Sequence, residues 1–351
     1  MPDPRLKTYA PQAIRHLAQS GSVLSLRQVA GGAARGNVPP WPRSEDVDFH
    51  GTLAAIWVWA RHQRLSGETR FQVNRAAAWT MVESRAKRFV PDALDSTASD
   101  EAAYDCAMVL VAHGAERAVP SDEPAHPGLR QVVDRAARVL SAHLGGLDDL
   151  AGREFRDPGF LALALIDHAR TVEDRGLLSS GRRFVERAFG MKAPPAFASE
   201  PSAGGGLFDF SSTTATRVLA VMAAEGSTPF VGAWLRERVA ATAPTGFVPR
   251  RLDENTWNAC AAWALGRAYV VSTDPTFMQS YNEVMDELER RDGDRDGALS
   301  RDRTVREPET LATFYYALAV DALVTSEHLA AAGVPEPRPL PGPLGNRIDE
   351  R

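Results

Sequence analysis

DENTWNACAAWALGRAYVVSTDPTFMQSYNEVMDELERRDGDRDGALSRD, residues 253–302, is the stretch whose reading decides the fold. In its second half Phe277, Tyr281, Val284, Met285 and Leu288 fall at i, i+4, i+7, i+8 and i+11, with Gln279, Asn282, Glu283, Asp286 and Glu287 between them. An apolar stripe of that period predicts an amphipathic helix lying on a surface. The first half, Trp257 to Val271, is apolar on nearly every side, with Ala259, Cys260, Ala261, Ala262, Trp263, Ala264, Leu265 and Ala268. Such a helix has to be covered on more than one face. An inner helix, a turn and an outer helix make one hairpin, and the same order recurs along the chain.

Thr52 to His62 (TLAAIWVWARH) is the first inner helix, and Phe71 to Val90, with Ala78, Val82 and Phe89 in one stripe, is its outer partner. Ser99 to His113 (SDEAAYDCAMVLVAH) opens the second hairpin, whose outer helix carries Leu129, Val132, Val133, Ala136, Ala137 and Leu140. Asp157 to Ala169, with Pro158 suited to a first helical turn, opens the third, and Leu178 to Phe189 is its partner. Ser211 to Ala224 and Pro229 to Ala241 make the fourth. The quoted stretch is the fifth. Glu307 to Leu323 (EPETLATFYYALAVDAL) is a sixth inner helix with only a short segment, Ser326 to Ala332, behind it. A helix over residues 4–20, with Leu6, Ala10, Ile14 and Leu17 on one side, can supply the missing outer layer.

Six such units at intervals of roughly 43 to 56 residues predict an all-α fold, an (α/α)6 toroid of helical hairpins, with an open superhelix as the alternative. Residues 1–43 are expected to form the N-terminal helix and a Gly/Pro-rich linker packed on the ring, 44–332 the toroid, and 333–351, with five prolines from Pro335 to Pro343, a disordered tail. The loop at 193–206 is longer than packing requires, as a cavity rim or a tolerated insertion would be.

Composition narrows the function classes. At 351 residues with 44% hydrophobic and 24% charged residues, the chain can bury a large core and is not of disordered type. A net charge of -5 argues against a nucleic-acid or anionic-membrane binder, which usually carries a basic face. Lysine occurs only at Lys7, Lys87 and Lys192, so arginine supplies nearly all the positive charge. Cys106 and Cys260 lie in apolar helical runs outside any metal-type spacing. The start lacks a secretory pattern and no apolar run is long enough for a membrane span, so a soluble, cytoplasmic protein is expected.

Hairpins one and five, TLAAIWVWARHQRLSGETRFQVNRAAAWTMV and NACAAWALGRAYVVSTDPTFMQSYNEVMDELERRDGDRDGAL, resemble those of six-hairpin glycosidases and epimerases of the (α/α)6 toroid superfamily. In those enzymes an aromatic-bearing inner helix leads through a TGDP-like turn into the outer helix. SSTTATRVLAV and ETLATFYYALAV are similar to the Thr-Ala-rich inner helices of terpenoid cyclases and protein prenyltransferases, the second choice. The resemblance covers most of residues 45–325 and is one of architecture. DVDF at 46–49 and DGDRD at 292–296 do not match the DxDD-type acid of class II cyclases, and no Asp, Cys and His set suits a prenyltransferase zinc.

In a toroid the inner helices run parallel, so their N-terminal ends gather at one mouth. That places Asp46, Asp48, His50, Tyr104, Asp105, Asp157, Asp209, Asp253, Glu254, Asn258, Glu307, Glu309 and Tyr315 near a shared opening. Converging carboxylates beside aromatic faces suit glycosidic chemistry, in which one carboxyl protonates the leaving oxygen and another activates water or attacks. The expected acids are Asp48, Asp105 and Glu254, with His50, Trp57, Asp209, Trp257, Asn258 and Tyr315 as substrate contacts. Acids at helix starts also have an ordinary role as caps. Asp105 differs because it lies within an apolar helix, where a buried carboxylate needs a partner, catalytic or structural. Asp167 and His168 sit near a helix end, consistent with simple exposure.

Asp292, Asp294, Asp296 and Gly297 stand at positions 1, 3, 5 and 6 of a calcium-type loop, but Arg303 occupies position 12, where a bidentate Glu is needed. The sequence alone therefore reads as a turn with weak or no ion binding, and no cofactor is expected. The function expected is that of a carbohydrate-active, glycoside hydrolase-like enzyme acting on a small-molecule or oligosaccharide substrate. The alternatives are an isoprenoid-handling toroid and a non-catalytic binding or scaffold ring.

Overall fold

The computed structural model describes residues 6–42, 44, 46–90, 100–119, 127–146, 158–189, 219–224, 255–301 and 307–324. Among these the fold is all-helical. The helices are α1 (Leu6–Arg27), α2 (Phe49–Ser66), α3 (Gln72–Phe89), α4 (Asp100–Arg117), α5 (Pro127–Gly146), α6 (Pro158–Thr171), α7 (Arg175–Phe189), α8 (Asn255–Ser272), α9 (Pro275–Arg291) and α10 (Thr310–Asp321). Residues 219–224 are also helical. The tail at 333–351, the loop at 193–206 and the helix expected at 229–241 lie outside the described residues.

Local chemistry sets the ends of these helices. Asp48 caps α2 through Gly51 N–H, and Gly67 ends it in the left-handed region at φ 75°, returning its N–H to Gln63. The STDP turn works the same way: Thr273 takes φ 56°, the Asp274 carboxylate accepts the Thr276 N–H, and Pro275 opens α9. Proline suits that position because its missing N–H would have no helical partner there.

Two layers result. α2 packs against α4, α4 against α6, α8 against α10, and α10 back against α2. On them lie α3 against α2, α5 against α4, α7 against α6, and α9 against α8. α2, α6 and α8 are buried along most of their length, whereas α9 buries the predicted stripe of Phe277, Tyr281, Val284, Met285 and Leu288. Each of those side chains contributes about 1.5–3 kcal/mol on leaving water.

The N-terminal helix is longer than its sequence suggests. It continues past residue 20 through Gly21 and Ser22 to Arg27, because Gly21 is needed for close approach and not for a turn. A Cβ there would lie 2.7 Å from the Phe71 ring, and the Gly21 carbonyl accepts the Trp59 indole N–H at 2.9 Å. α1 packs on both α2 and α10, where a sixth outer helix would stand. Beside it Thr310 donates its hydroxyl to the Pro39 carbonyl at 2.7 Å and its N–H to Pro40 at 3.1 Å.

Candidate functional site

The N-terminal turns of α2, α4, α6 and α10 meet in one polar and aromatic cluster. Asp105 of α4 is 3% exposed, with Oδ1 2.7 Å from His50 Nε2 in the first turn of α2. The His50 ring stands edge-on to Tyr104, whose hydroxyl lies 2.9 Å from that of Tyr315, and Phe160 packs against both tyrosines. Burial works against a charged His50, but the Asp105 hydrogen bond and charge, with Asp48 and Glu101 beyond, outweigh it and hold the imidazole above its ordinary value. Burial pushes Asp48 up, although its Gly51 hydrogen bond and His50 oppose the shift. The structure thus joins Asp48, His50, Asp105, Tyr104 and Tyr315, as their places at helix starts imply.

The partners found there are structural ones. Asp48 is a helix cap, and Asp105 is sealed beneath His50. Asn258 is 1% exposed, Asp46 is exposed and bonded to Ser44, and Glu309 stands at the N-cap of α10 without a side-chain capping bond. Asp157, Asp209, Asp253, Glu254 and the side chain of Trp257 lie outside the described residues.

A concave space opens at the other ends of the same helices. A well of about 450 Å³ is lined by the C-terminal halves of α2, α4, α6, α8 and α10 and by residues of 219–224. Trp57 and Arg61 of α2, Asp167 and Arg170 of α6, Trp263 and Arg267 of α8, and Asp321 of α10 face it. Arg61 Nε donates to Asp321 Oδ1 at 2.8 Å, and Arg170 donates to the Ala223 carbonyl. Asp167 lies exposed to the space of the well. Desolvation by the surrounding helices pushes its carboxyl above the usual range, against the pull of Arg267 and Arg170. Asp321 is likewise raised by burial, against Arg61 and Arg267. His168 at the rim is held below its ordinary value by burial and by Arg117, against Asp134 and Asp174.

Of the expected substrate contacts, Trp57 lines this well, edge-on to Phe314. Arg61, Arg267 and Asp321 carried no weight in the sequence reading, yet a signal was present. In WVWARH, LIDHA, ALGRAY and LAVDAL one charge interrupts an apolar inner helix past its midpoint. Four such interruptions at equivalent places on parallel helices converge.

No family model, curated protein or solved structure matches this chain.

Proposed function

We propose that the hairpins close into an (α/α)6 toroid and that the chain is a carbohydrate-active enzyme of glycoside hydrolase type, with the axial well as its substrate site. The contacts from α2 through α4 to α6, and from α8 through α10 back to α2, support the ring. One observation carries the functional reading: two carboxylates, three arginines and two tryptophans face a single well of about 450 Å³. A pocket of that size with a few convergent polar groups is what a small ligand needs. Charged groups spaced around the wall favour a polyhydroxylated ligand over an apolar isoprenoid, and open space favours a ligand over a filled scaffold.

The acid and base belong in the well. A proton donor must reach its substrate, and Asp105 at 3% exposure is sealed from any. Asp167 has access, and its carboxyl is shifted upward by desolvation, the direction that suits a proton donor to a glycosidic oxygen. Asp321, oriented by the Arg61 guanidinium, is the second carboxylate, placed to activate water or stabilise developing positive charge. Trp57 and Trp263 offer faces for sugar rings. At the mouth, the His50–Asp105 pair and the Asp48 cap hold the helix starts in register.

The experiment is turnover of a panel of nitrophenyl glycosides and mixed oligosaccharides by the full chain and by Asp167→Asn. Hydrolysis by the parent and its loss in the variant, at an unlowered Tm, is the expected result. Full turnover in Asp167→Asn, or no saccharide bound or cleaved by the parent, overturns the reading.

A further inference from the structure

A second site lies away from the well, where α9 runs into the loop at 292–301. The ligand-type oxygens of Asp292, Asp294 and Asp296 fall within 4.8 Å of one another. Three carboxylates so close repel unless something positive lies among them. A separate observation points to a ligand. Asp292 is 6% exposed; its Oδ2 accepts the Gly297 N–H at 3.1 Å, while Oδ1, shielded from solvent, has no hydrogen-bond partner. A carboxylate oxygen sealed from water without a donor is costly, and a cation would supply what it lacks.

The backbone is already shaped for this. Gly297, at the sixth position, takes φ 77°, the left-handed conformation that the sharp bend of such loops requires. The Arg295 carbonyl accepts the Gln19 side-chain amide at 2.8 Å, and the Gly297 carbonyl accepts the Ser20 hydroxyl at 2.6 Å, so α1 clamps the loop from outside. A Cβ on Gly297 would come within 2.9 Å of Ser20 Oγ, which leaves no room for another residue at this bend. Ala298 stands at the seventh position, where such loops offer a backbone oxygen.

We propose that Asp292, Asp294 and Asp296 bind one calcium ion, and that the bound ion stiffens the loop on which α1 is docked. An all-oxygen set with three carboxylates selects a hard divalent cation over a thiophilic or imidazole-seeking one. Calcium tolerates irregular geometry and a high coordination number, whereas magnesium demands a near-ideal octahedron. Because Arg303 replaces the bidentate Glu of tight loops, half-saturation is expected in the weak range, about 10⁻⁴–10⁻³ M.

The test uses the full chain, stripped with a chelator and titrated with calcium chloride by calorimetry, with thermal unfolding in parallel. The parent should bind one calcium per chain and gain Tm as the site fills. Asp294→Asn and Asp296→Asn, on exposed and half-buried side chains that spare the buried Asp292, should each weaken binding about tenfold or more while leaving the chelator-treated Tm unlowered, or raised as the repulsion among the carboxylates falls. Absence of a saturable calcium signal into the millimolar range overturns the proposal. So do equal binding by the variants, which marks diffuse surface association, and equal binding of magnesium, which denies calcium as the ligand. Glycosidase activity is not a readout here, so failure of this test and failure of the proposed function are distinguishable.

Discussion

Replacing His50 by Gln tests how the mouth of the helical layer is held. The His50 and Asp105 side chains are 17% and 4% exposed and lie 2.7 Å apart, so solvent screens their attraction little. Removing one member of a buried pair leaves an uncompensated charge, at about 3–5 kcal/mol. At about 2 °C per kcal/mol for a chain of this size, the Tm should fall by roughly 6–10 °C. Asp105→Asn should also destabilise, and the double variant should cost less than the sum, with a coupling of about 0.5–3 kcal/mol. The pH dependence has a definite sign. The folded-state pKa of His50 lies above the ordinary 6.5, so the pair's contribution is complete below that value and is lost as pH rises through the raised one. Urea unfolding of the four proteins from slightly acid to alkaline pH measures all of this. Single variants costing less than about 1 kcal/mol, additive in the double and flat with pH, would refute the account.

Other outcomes follow from equally local causes. Asp167→Asn should raise the Tm above neutral pH or leave it unchanged, because an acid with a raised folded-state pKa burdens the fold once pH exceeds its ordinary 3.8; a clear loss of stability in calorimetry would count against that. Gly67→Ala faces only the left-handed backbone, with nothing within 4 Å, and should cost about 1–2 kcal/mol. Gly36→Ala should cost well beyond that, since at φ 88° its Cβ would also lie 2.1 Å from the Ala77 carbonyl oxygen; equal midpoints in urea would deny the clash. Trp263→Ala, on a half-buried side chain of the well, should weaken saccharide binding more than it lowers the Tm, as titration calorimetry would show.

The hairpins were legible because burial imposes period. The stripe from Phe277 to Leu288 and the all-round apolar runs of α2 and α8 state which helices lie outside and which inside. What period cannot state is where a helix continues through a glycine for tertiary reasons, as α1 does at Gly21 to admit Phe71 and Trp59. The clustering of Asp48, His50 and Asp105 was readable from their places at helix starts, but their burial was not, since it depends on the neighbouring helices. In the well, Arg61 and Asp321 are 260 residues apart in sequence, and no local pattern announces their pairing. A lone charge past the midpoint of an apolar helix is the trace that the pairing leaves in the sequence.

The seating of α1 bears on how the molecule comes into being. Arg27 reaches Thr310 across 283 positions and Tyr9 reaches Met278 across 269, so α1 leaves the ribosome well before the segments on which it comes to rest. Contacts of such separation slow folding, because a long loop must close before they form. Until those later segments are made, the apolar side of that helix lacks its final neighbours, and apolar surface left open in this way is what chaperones shield.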